Sequence, residues 1–122
     1  MHNFKELKVW KEAMELSKII YNITKSFPNE EKFGLTSQII RCTISVPSNI
    51  AEGCGRGTDK EFARFLSISR GSTYELETQL ILAHNFAYLS TVDCNNIIEK
   101  LSQIQRMLNG LIQTLSKKLK NK

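Results

Sequence analysis

Residues 41–61 constrain the fold of this 122-residue chain more than any other segment. Their sequence, RCTISVPSNIAEGCGRGTDKE, places Pro47 inside an apolar pattern that repeats every three to four residues. A proline within a helix lacks a hydrogen-bond donor and clashes with the carbonyl four residues earlier, here that of Thr43. Three alternating glycines then permit a tight joint, and Thr58 with Glu61 matches a capping box. The segment therefore predicts a proline-kinked helix, a short joint and a new helix.

Helical spacing of apolar residues continues through the rest of the chain. It predicts four helices, at about residues 5–26, 33–53, 59–89 and 93–119. The last carries a seam in which steps of four and three alternate: Ile97, Leu101, Ile104, Leu108, Leu111 and Leu115. Such a seam suits left-handed bundle packing, and short joints favour antiparallel neighbours. We therefore expect residues 1–122 to form one all-α domain, an antiparallel up-down-up-down four-helix bundle with a proline-kinked second helix.

Two of the predicted helices are more apolar than a single bundle requires. Between residues 36 and 53 the only charged residues are Arg41 and Glu52, and the third helix has two partly apolar faces. A helix that is apolar nearly all round must be covered on several sides. Gly71, in the middle of the third helix, is explained by close approach of another helix, because glycine there costs about 1 kcal/mol relative to alanine. These features predict a homo-oligomer.

A polar stripe follows one side of the second helix and consists of Arg41, Ser45, Asn49, Glu52 and Arg56. An unpaired charge in an apolar helix is costly, so we expect ion pairs to the third helix, Glu52 with Arg64 and Arg41 with Glu75. One interpretation is a structural polar network of Arg41, Asn49, Glu52, Arg64 and Glu75 that fixes helix register or subunit packing, and we favour it. The other is a binding site lined by Asn49, Glu52 and Arg64.

Positive charge is concentrated toward the C-terminus. The formal net charge is +5, and four lysines lie within the last six residues. Basic clusters can hold phosphates, although a short charge run at a terminus is also typical of a solvated end. The nucleic-acid-binding candidates are Arg56, Lys60, Lys100, Arg106, Lys117, Lys118, Lys120 and Lys122.

No constellation of reactive residues predicts an enzyme. His2 and His84 are the only histidines, and neither has carboxylate or cysteine ligands at metal spacing. We therefore predict no catalytic site, no metal site and no cofactor. The apolar runs are too short to cross a membrane, and the three cysteines show no paired spacing. These observations predict a cytoplasmic protein with free thiols and no membrane partner.

The quoted motifs also carry a family resemblance. The relevant sequence is Gly34-Leu35, Arg41, Ser45-Val46-Pro47, Asn49-Ile50-Ala51-Glu52-Gly53, Glu61-Phe62, Arg64-Phe65-Leu66, Gly71-Ser72 and Glu75-Leu76-Glu77. Over residues 4–89 the chain resembles the bacterial four-helix-bundle proteins encoded in intervening sequences of 23S ribosomal RNA genes. The resemblance implies a four-helix protomer that assembles as a homopentamer. It also implies kinship with the accessory proteins of diversity-generating retroelements, which bind nucleic acid and a reverse transcriptase.

Together these features predict a non-enzymatic oligomeric scaffold that binds RNA, DNA or a ribonucleoprotein partner. The alternative is a protein–protein interaction module that does not bind nucleic acid directly. Loss of RNA binding on removal of the C-terminal lysines distinguishes the first from the second.

Overall fold

The computed structural model describes residues 3–121 and consists of four α-helices: α1 (Lys8–Thr24), α2 (Leu35–Gly55), α3 (Asp59–Asn85) and α4 (Thr91–Lys120). Two short 3-10 helices, Phe4–Glu6 and Asn29–Glu31, precede α1 and α2. There is no strand within residues 3–121, so the predicted all-α helical bundle is confirmed. The complete up-down-up-down order, the kink at Pro47 and the single-domain organisation stay predictions.

The helix ends differ from the predicted limits for local reasons. Helix α1 begins at Lys8, because Leu7 is extended at φ −69° and ψ 125° and separates it from the first 3-10 helix. Helix α3 ends at Asn85, and Ala87 then takes a φ of 65°, which no helix can continue. The Thr58 hydroxyl accepts a hydrogen bond from the Glu61 amide at 3.2 Å, which is the N-cap that the sequence predicts.

The core is formed by apolar residues from all four helices. The apolar pattern of α2 is buried at Ile39, Cys42, Val46 and Ile50, and Leu35 at its start is half-buried. The predicted seam of α4 is buried at every position except Leu111, which is half-buried. The helical spacing of the sequence therefore identified the side chains that the bundle buries.

Helices α2 and α3 form the most extensive contact in the bundle. A Cβ atom built on Gly53 would lie 2.6 Å from the Phe65 Cβ, so only glycine allows this approach. Farther along, the Ser69 hydroxyl donates to the Val46 carbonyl at 2.9 Å. The contacting positions decrease along α2 as they increase along α3, so these two helices run in opposite directions.

Helix α2 continues through Pro47, and neighbouring helices bind the backbone near it. The Thr43 carbonyl has lost its usual donor, the amide that Pro47 lacks. The Ser17 hydroxyl of α1 lies 3.2 Å from this carbonyl and 3.2 Å from the Thr43 hydroxyl. Ser45, the neighbouring serine of α2, bonds to Ser72 of α3 instead. The Ser17 hydroxyl also lies 2.9 Å from the Ala13 carbonyl of its own helix, so the Ala13 and Thr43 carbonyls share its one hydrogen.

The length and hydropathy of these helices bear on the membrane prediction. Over residues 3–121, none is both long enough and apolar enough to cross a bilayer.

Candidate nucleic-acid interface

The contacts between α3 and α4 determine where the basic residues lie. Gln105 donates to the Glu77 carboxylate at 3.0 Å, and Arg70 donates to the Asn109 side chain at 2.9 Å. Positions therefore advance along α4 as they go back along α3. The C-terminal end of α4 lies toward the start of α3, where the α2–α3 joint is also found.

Five predicted candidates come together at this end of the molecule. Lys117, Lys118 and Lys120 belong to the last turns of α4, Lys60 to the first turn of α3, and Arg56 caps the end of α2. All five are exposed. The start of α3 also directs free amide groups and the positive end of its helix dipole toward the same region, which favours phosphate.

The structure adds a lysine that sequence reasoning missed. Lys8 of α1 and Arg106 of α4 line one groove of about 460 Å³, together with Leu7, Val9, Met107, Gly110, Leu111 and Thr114. Both cations are exposed. The sequence contains no local signal for this juxtaposition, because the residues are far apart in the chain. Arg106 is thus placed beside Lys8, 11 residues of α4 before Lys117. The five residues Arg56, Lys60, Lys117, Lys118 and Lys120 are called the basic end.

Two arginines near the α2–α3 joint already have acidic partners. Arg56 bonds to Glu52 at 2.8 Å and Arg64 bonds to Glu61 at 2.7 Å, each within about one helical turn. The predicted Glu52–Arg64 pair is therefore wrong. Both guanidinium groups also stack over the Phe65 ring, at 4.9 and 4.5 Å from its centroid. Each of these exposed guanidinium groups bonds to a carboxylate in its own helix, because that pairing orders fewer side-chain torsions than a pair across the α2–α3 interface.

The lysines of the basic end are uncompensated. Within residues 3–121 no acidic group lies within 4.0 Å of Lys60, Lys117, Lys118 or Lys120. The hydrogen bond from Arg64 lowers the pKa of Glu61, and the charges of Arg64, Arg56 and Lys60 add to that effect. A phosphate arriving at this end would therefore meet a positive field.

Two predicted candidates do not join this cluster. Lys100 precedes Lys117 by 17 residues of α4, a distance of about 25 Å along the helix axis. Lys122 lies outside the described residues.

The polar stripe of α2 forms a different network from the predicted one. The Ser45 hydroxyl meets the Ser72 hydroxyl of α3 at 2.8 Å, and the Asn49 amide donates to the Ser45 carbonyl at 2.8 Å. Arg41 and Glu75 line the same cleft of about 150 Å³, but the described ion pairs do not include them. The bond between the Ser45 and Ser72 hydroxyls connects α2 to α3 here, whereas the Asn49 bond lies within α2.

The thiol at the bottom of this cleft is not poised for reaction. Burial, the charge of Glu75 and a hydrogen bond to Glu75 raise the pKa of Cys42 to about 12. The thiol lies 3.1 Å from the Ser72 carbonyl, so Ser72 and Glu75 compete for its one hydrogen. A protonated, buried thiol is a poor nucleophile.

A metal site needs several ligating side chains grouped together. Between residues 3 and 121, no three or more His, Cys, Asp or Glu side chains are grouped so that they could hold a metal ion.

Comparison with known proteins identifies the family. The model of the 23S rRNA-intervening sequence proteins matches residues 5–110, which is most of the chain. The chain belongs to this family. The match includes all of α1, α2 and α3 and most of α4, so the family fold contains the α2–α3 joint. It confirms the resemblance inferred from the proline and glycine motifs.

A solved structure supports the same assignment. The chain is similar to a protein of unknown function from the S23 ribosomal protein family of Bacteroides thetaiotaomicron VPI-5482, with a TM-score of 0.80 and 26% identity. The match covers 86% of this chain and 95% of that one. No curated protein matches the chain. Membership in the 23S rRNA-intervening sequence family thus establishes the fold and the relatives of this chain. The descriptions of the family and of the solved structure name no activity.

Proposed function

We propose that this protein is a non-enzymatic oligomeric scaffold that binds nucleic acid through its basic end. The observation that carries the proposal is the convergence of exposed, uncompensated lysines from α3 and α4 at one end of the molecule. Binding of lysines to phosphates releases counterions and supplies affinity without reading sequence. The proposal therefore concerns structured RNA or DNA recognised through its backbone.

Oligomerisation is the second part of the proposal, and uncovered apolar side chains support it. Ile44 of α2 belongs to the apolar pattern of that helix, yet 52% of it is exposed in the protomer. Ile68, Leu82 and Phe86 on the second apolar face of α3 are also exposed. An assembly would cover these residues and would repeat the basic end several times, which strengthens binding to a long polyanion.

A charge-matched pair of variants tests the nucleic-acid part. The first variant carries Lys117→Gln, Lys118→Gln and Lys120→Gln at the basic end. The control carries Lys25→Gln, Lys32→Gln and Lys100→Gln, which removes the same charge elsewhere. Affinity for a labelled RNA hairpin and for duplex DNA of equal length is measured by fluorescence anisotropy across a salt series.

We expect the basic-end variant to lose affinity and to lower the slope of log affinity against log salt by about 2, since each phosphate contact contributes roughly 0.7–0.9. The control should retain both the affinity and the slope apart from a small loss of long-range attraction. Equal losses in the two variants would show that only net charge matters and would contradict a site at the basic end.

The α1–α2 surface favours a second candidate function, a protein-interaction module without nucleic-acid binding. A groove of about 510 Å³ lies there, and its wall is mostly apolar: Trp10, Met14, Tyr21, Ile44, Pro47 and Ala51. Such grooves are typical docking sites for amphipathic helices. If the wild-type protein binds neither RNA nor DNA at low salt, this candidate replaces the first.

A further inference from the structure

The groove between the start of α1 and the second half of α4, here called the α1–α4 groove, combines apolar surface with positive charge. Its volume is about 460 Å³, and four apolar side chains line it: Leu7, Val9, Met107 and Leu111. Leu7, Met107 and Leu111 are half-buried, so part of each stays in contact with solvent. Leu111 is also the position of the α4 seam that the bundle leaves half-buried. Apolar surface is therefore available here to another molecule.

The charges of the α1–α4 groove have one sign. Lys8 and Arg106 line it, and among residues 3–121 no acid does so. Neither cation belongs to the ion pairs of the described residues. Arg106 donates to the Ser102 hydroxyl at 3.4 Å, a neutral partner that leaves most of the guanidinium N–H groups available. From residue 100 to residue 122 the sequence contains no Asp or Glu. The groove therefore suits a partner that carries negative charge.

Gly110 lets a neighbouring backbone approach the groove closely. It lies within the 30-residue α4, its φ is not positive, and no heavy atom lies within 4 Å of a Cβ built on it. Glycine at such a position destabilises a helix relative to alanine. No contact among residues 3–121 requires it, in contrast to Gly53, where Phe65 occupies the space that a Cβ would need. Close packing of a second helix accounts for Gly110, because the side chains at a contact set the distance between two helix axes.

The chemistry of the groove wall favours a peptide helix over a nucleobase. Within residues 3–121 no aromatic side chain lines the groove, whereas unpaired bases bind proteins by stacking on aromatic rings. Aliphatic and methionine side chains adapt to the apolar stripe of an amphipathic helix. The Thr114 hydroxyl donates to the Gly110 carbonyl at 3.0 Å, so its hydrogen is used within α4. Lys8 and Arg106 are then the lining side chains that can donate to a partner.

We propose that the α1–α4 groove binds an amphipathic helix of a partner protein, with acidic residues beside the apolar stripe of that helix. The stripe covers Met107 and Leu111, and the carboxylates pair with the two cations of the groove. From Arg106 to Thr114 the groove extends over 8 residues of α4, or about 12 Å, which accommodates about two turns of helix. Lys117, the first lysine of the basic end on α4, lies about 16 Å farther along the helix axis than Arg106. The groove is thus a site separate from the basic end, and its role does not depend on nucleic-acid binding.

A displayed peptide library tests the proposal on the whole chain. Its peptides have about 18 residues, because shorter isolated helices are marginal, and they carry Leu at steps of three and four. The other positions are drawn equally from Ala, Gln, Glu and Lys. Peptides that bind the wild-type protein are counter-selected against Gly110→Leu, which fills the groove and keeps its charges. Gly55→Leu, at another glycine with no heavy atom within 4 Å of the added Cβ, is the matched control, and circular dichroism checks that each variant folds.

We expect the surviving peptides to be enriched in Glu over Lys beside the Leu stripe, and to bind Gly55→Leu as they bind the wild-type protein. The dissociation constant of the most enriched peptide is then measured by fluorescence anisotropy. The double variant Lys8→Glu, Arg106→Glu should weaken binding by about tenfold or more, since two attractions become repulsions. The charge-matched control Lys32→Glu, Lys100→Glu should change it by less than about threefold. A peptide with Lys in place of each Glu should bind the charge-reversed variant better than the wild-type protein.

Several results would overturn the proposal. They are a library from which no peptide survives the counter-selection, survivors enriched in Lys or in neither charge, and equal binding by the charge-reversed variant and its control. An RNA hairpin that displaces the peptide, and whose own affinity falls more in the charge-reversed variant than in the control, would assign the groove to nucleic acid and would also contradict the proposal. The basic-end variant Lys117→Gln, Lys118→Gln, Lys120→Gln should keep the peptide affinity, so the nucleic-acid proposal and this one can fail separately.

Discussion

Gly53→Ala should destabilise this protein even though alanine is the better helix former. Gly53 is buried in α2, and a Cβ built there would lie 2.6 Å from the Phe65 Cβ and 3.3 Å from the Phe62 carbonyl oxygen. Carbon atoms at optimal separation are about 3.5–4.0 Å apart, so α2 and α3 would have to separate locally by about 1 Å. Neither contacting atom is the end of a flexible side chain that could rotate away.

The magnitude follows from two opposing terms. Overpacking of a well-packed core costs about 1–3 kcal/mol, and contacts with atoms close to the backbone place this site in the upper half of that range. Alanine returns up to about 1 kcal/mol of helix propensity. The net loss in the free energy of unfolding is about 1.5 kcal/mol, which lowers the Tm of a chain of this length by about 6 °C.

Urea unfolding followed by circular dichroism at one protomer concentration measures this loss. Gly55→Ala is the matched control, because it makes the same change two residues farther along α2 with no heavy atom within 4 Å of the new Cβ. We expect the control to change the free energy of unfolding by less than about 0.5 kcal/mol. A Gly53→Ala protein as stable as the control would refute the argument that helix proximity selects glycine at residue 53.

Two further predictions concern the environment of Pro47 and the α2–α3 cleft. Ser17→Ala should lower the free energy of unfolding by about 1–3 kcal/mol, because it leaves the buried Thr43 hydroxyl and the Thr43 carbonyl without their α1 partner. The control Ser48→Ala, at an exposed position beside Pro47, should be nearly neutral in urea unfolding. Equal effects of the two substitutions would contradict the role of Ser17. Since the pKa of Cys42 is raised from 9.0 to about 12, its protonated form favours the fold below pH 9, and this contribution is lost as the pH rises from 9 toward 12. Cys42→Ala should therefore flatten the fall of stability between pH 9 and 11 by at most about 1.4 kcal/mol per pH unit, and parallel curves for variant and wild type would rule this out.

The sequence predicted the helical core well because burial follows local periodicity. Ile39, Val46 and Ile50 in α2 repeat at the helical spacing, and each is buried. The start of α3 was also predictable, since a cap depends on residues three apart. Helix ends without such a local signal were less predictable. Helix α3 ends at Asn85, before the end that apolar spacing suggests, because Ala87 takes a positive φ.

Contacts between helices were harder to predict. They depend on how deeply each side chain lies between the helices and on its rotamer, and a sequence does not encode either locally. The Glu52–Arg64 pair was expected from helix register, yet Glu52 forms its ion pair with Arg56, at the end of its own helix. The Ser17 hydroxyl beside Thr43 depends on the packing of α1, so the environment of Pro47 gave no signal for it.

The candidate interface was predictable in part. The C-terminal lysines and Lys60 were recognised as charge, but their convergence depends on the opposite directions of α3 and α4. Lys8 lies beside Arg106 through packing of α1 against α4, and Lys100 is separated from the C-terminal lysines along α4. Charge composition therefore suggested a partner class, whereas the bundle showed which cations lie at one end of the molecule.

Sedimentation velocity with a fluorescently labelled RNA hairpin tests the central claim most directly, because one measurement reports both assembly and binding. The account predicts that at low salt the RNA sediments with several protomers, and that raising the salt releases the RNA while the protein assembly persists. RNA that sediments alone at low salt, or with a single folded protomer, would contradict the claim that this protein is an oligomeric nucleic-acid-binding scaffold.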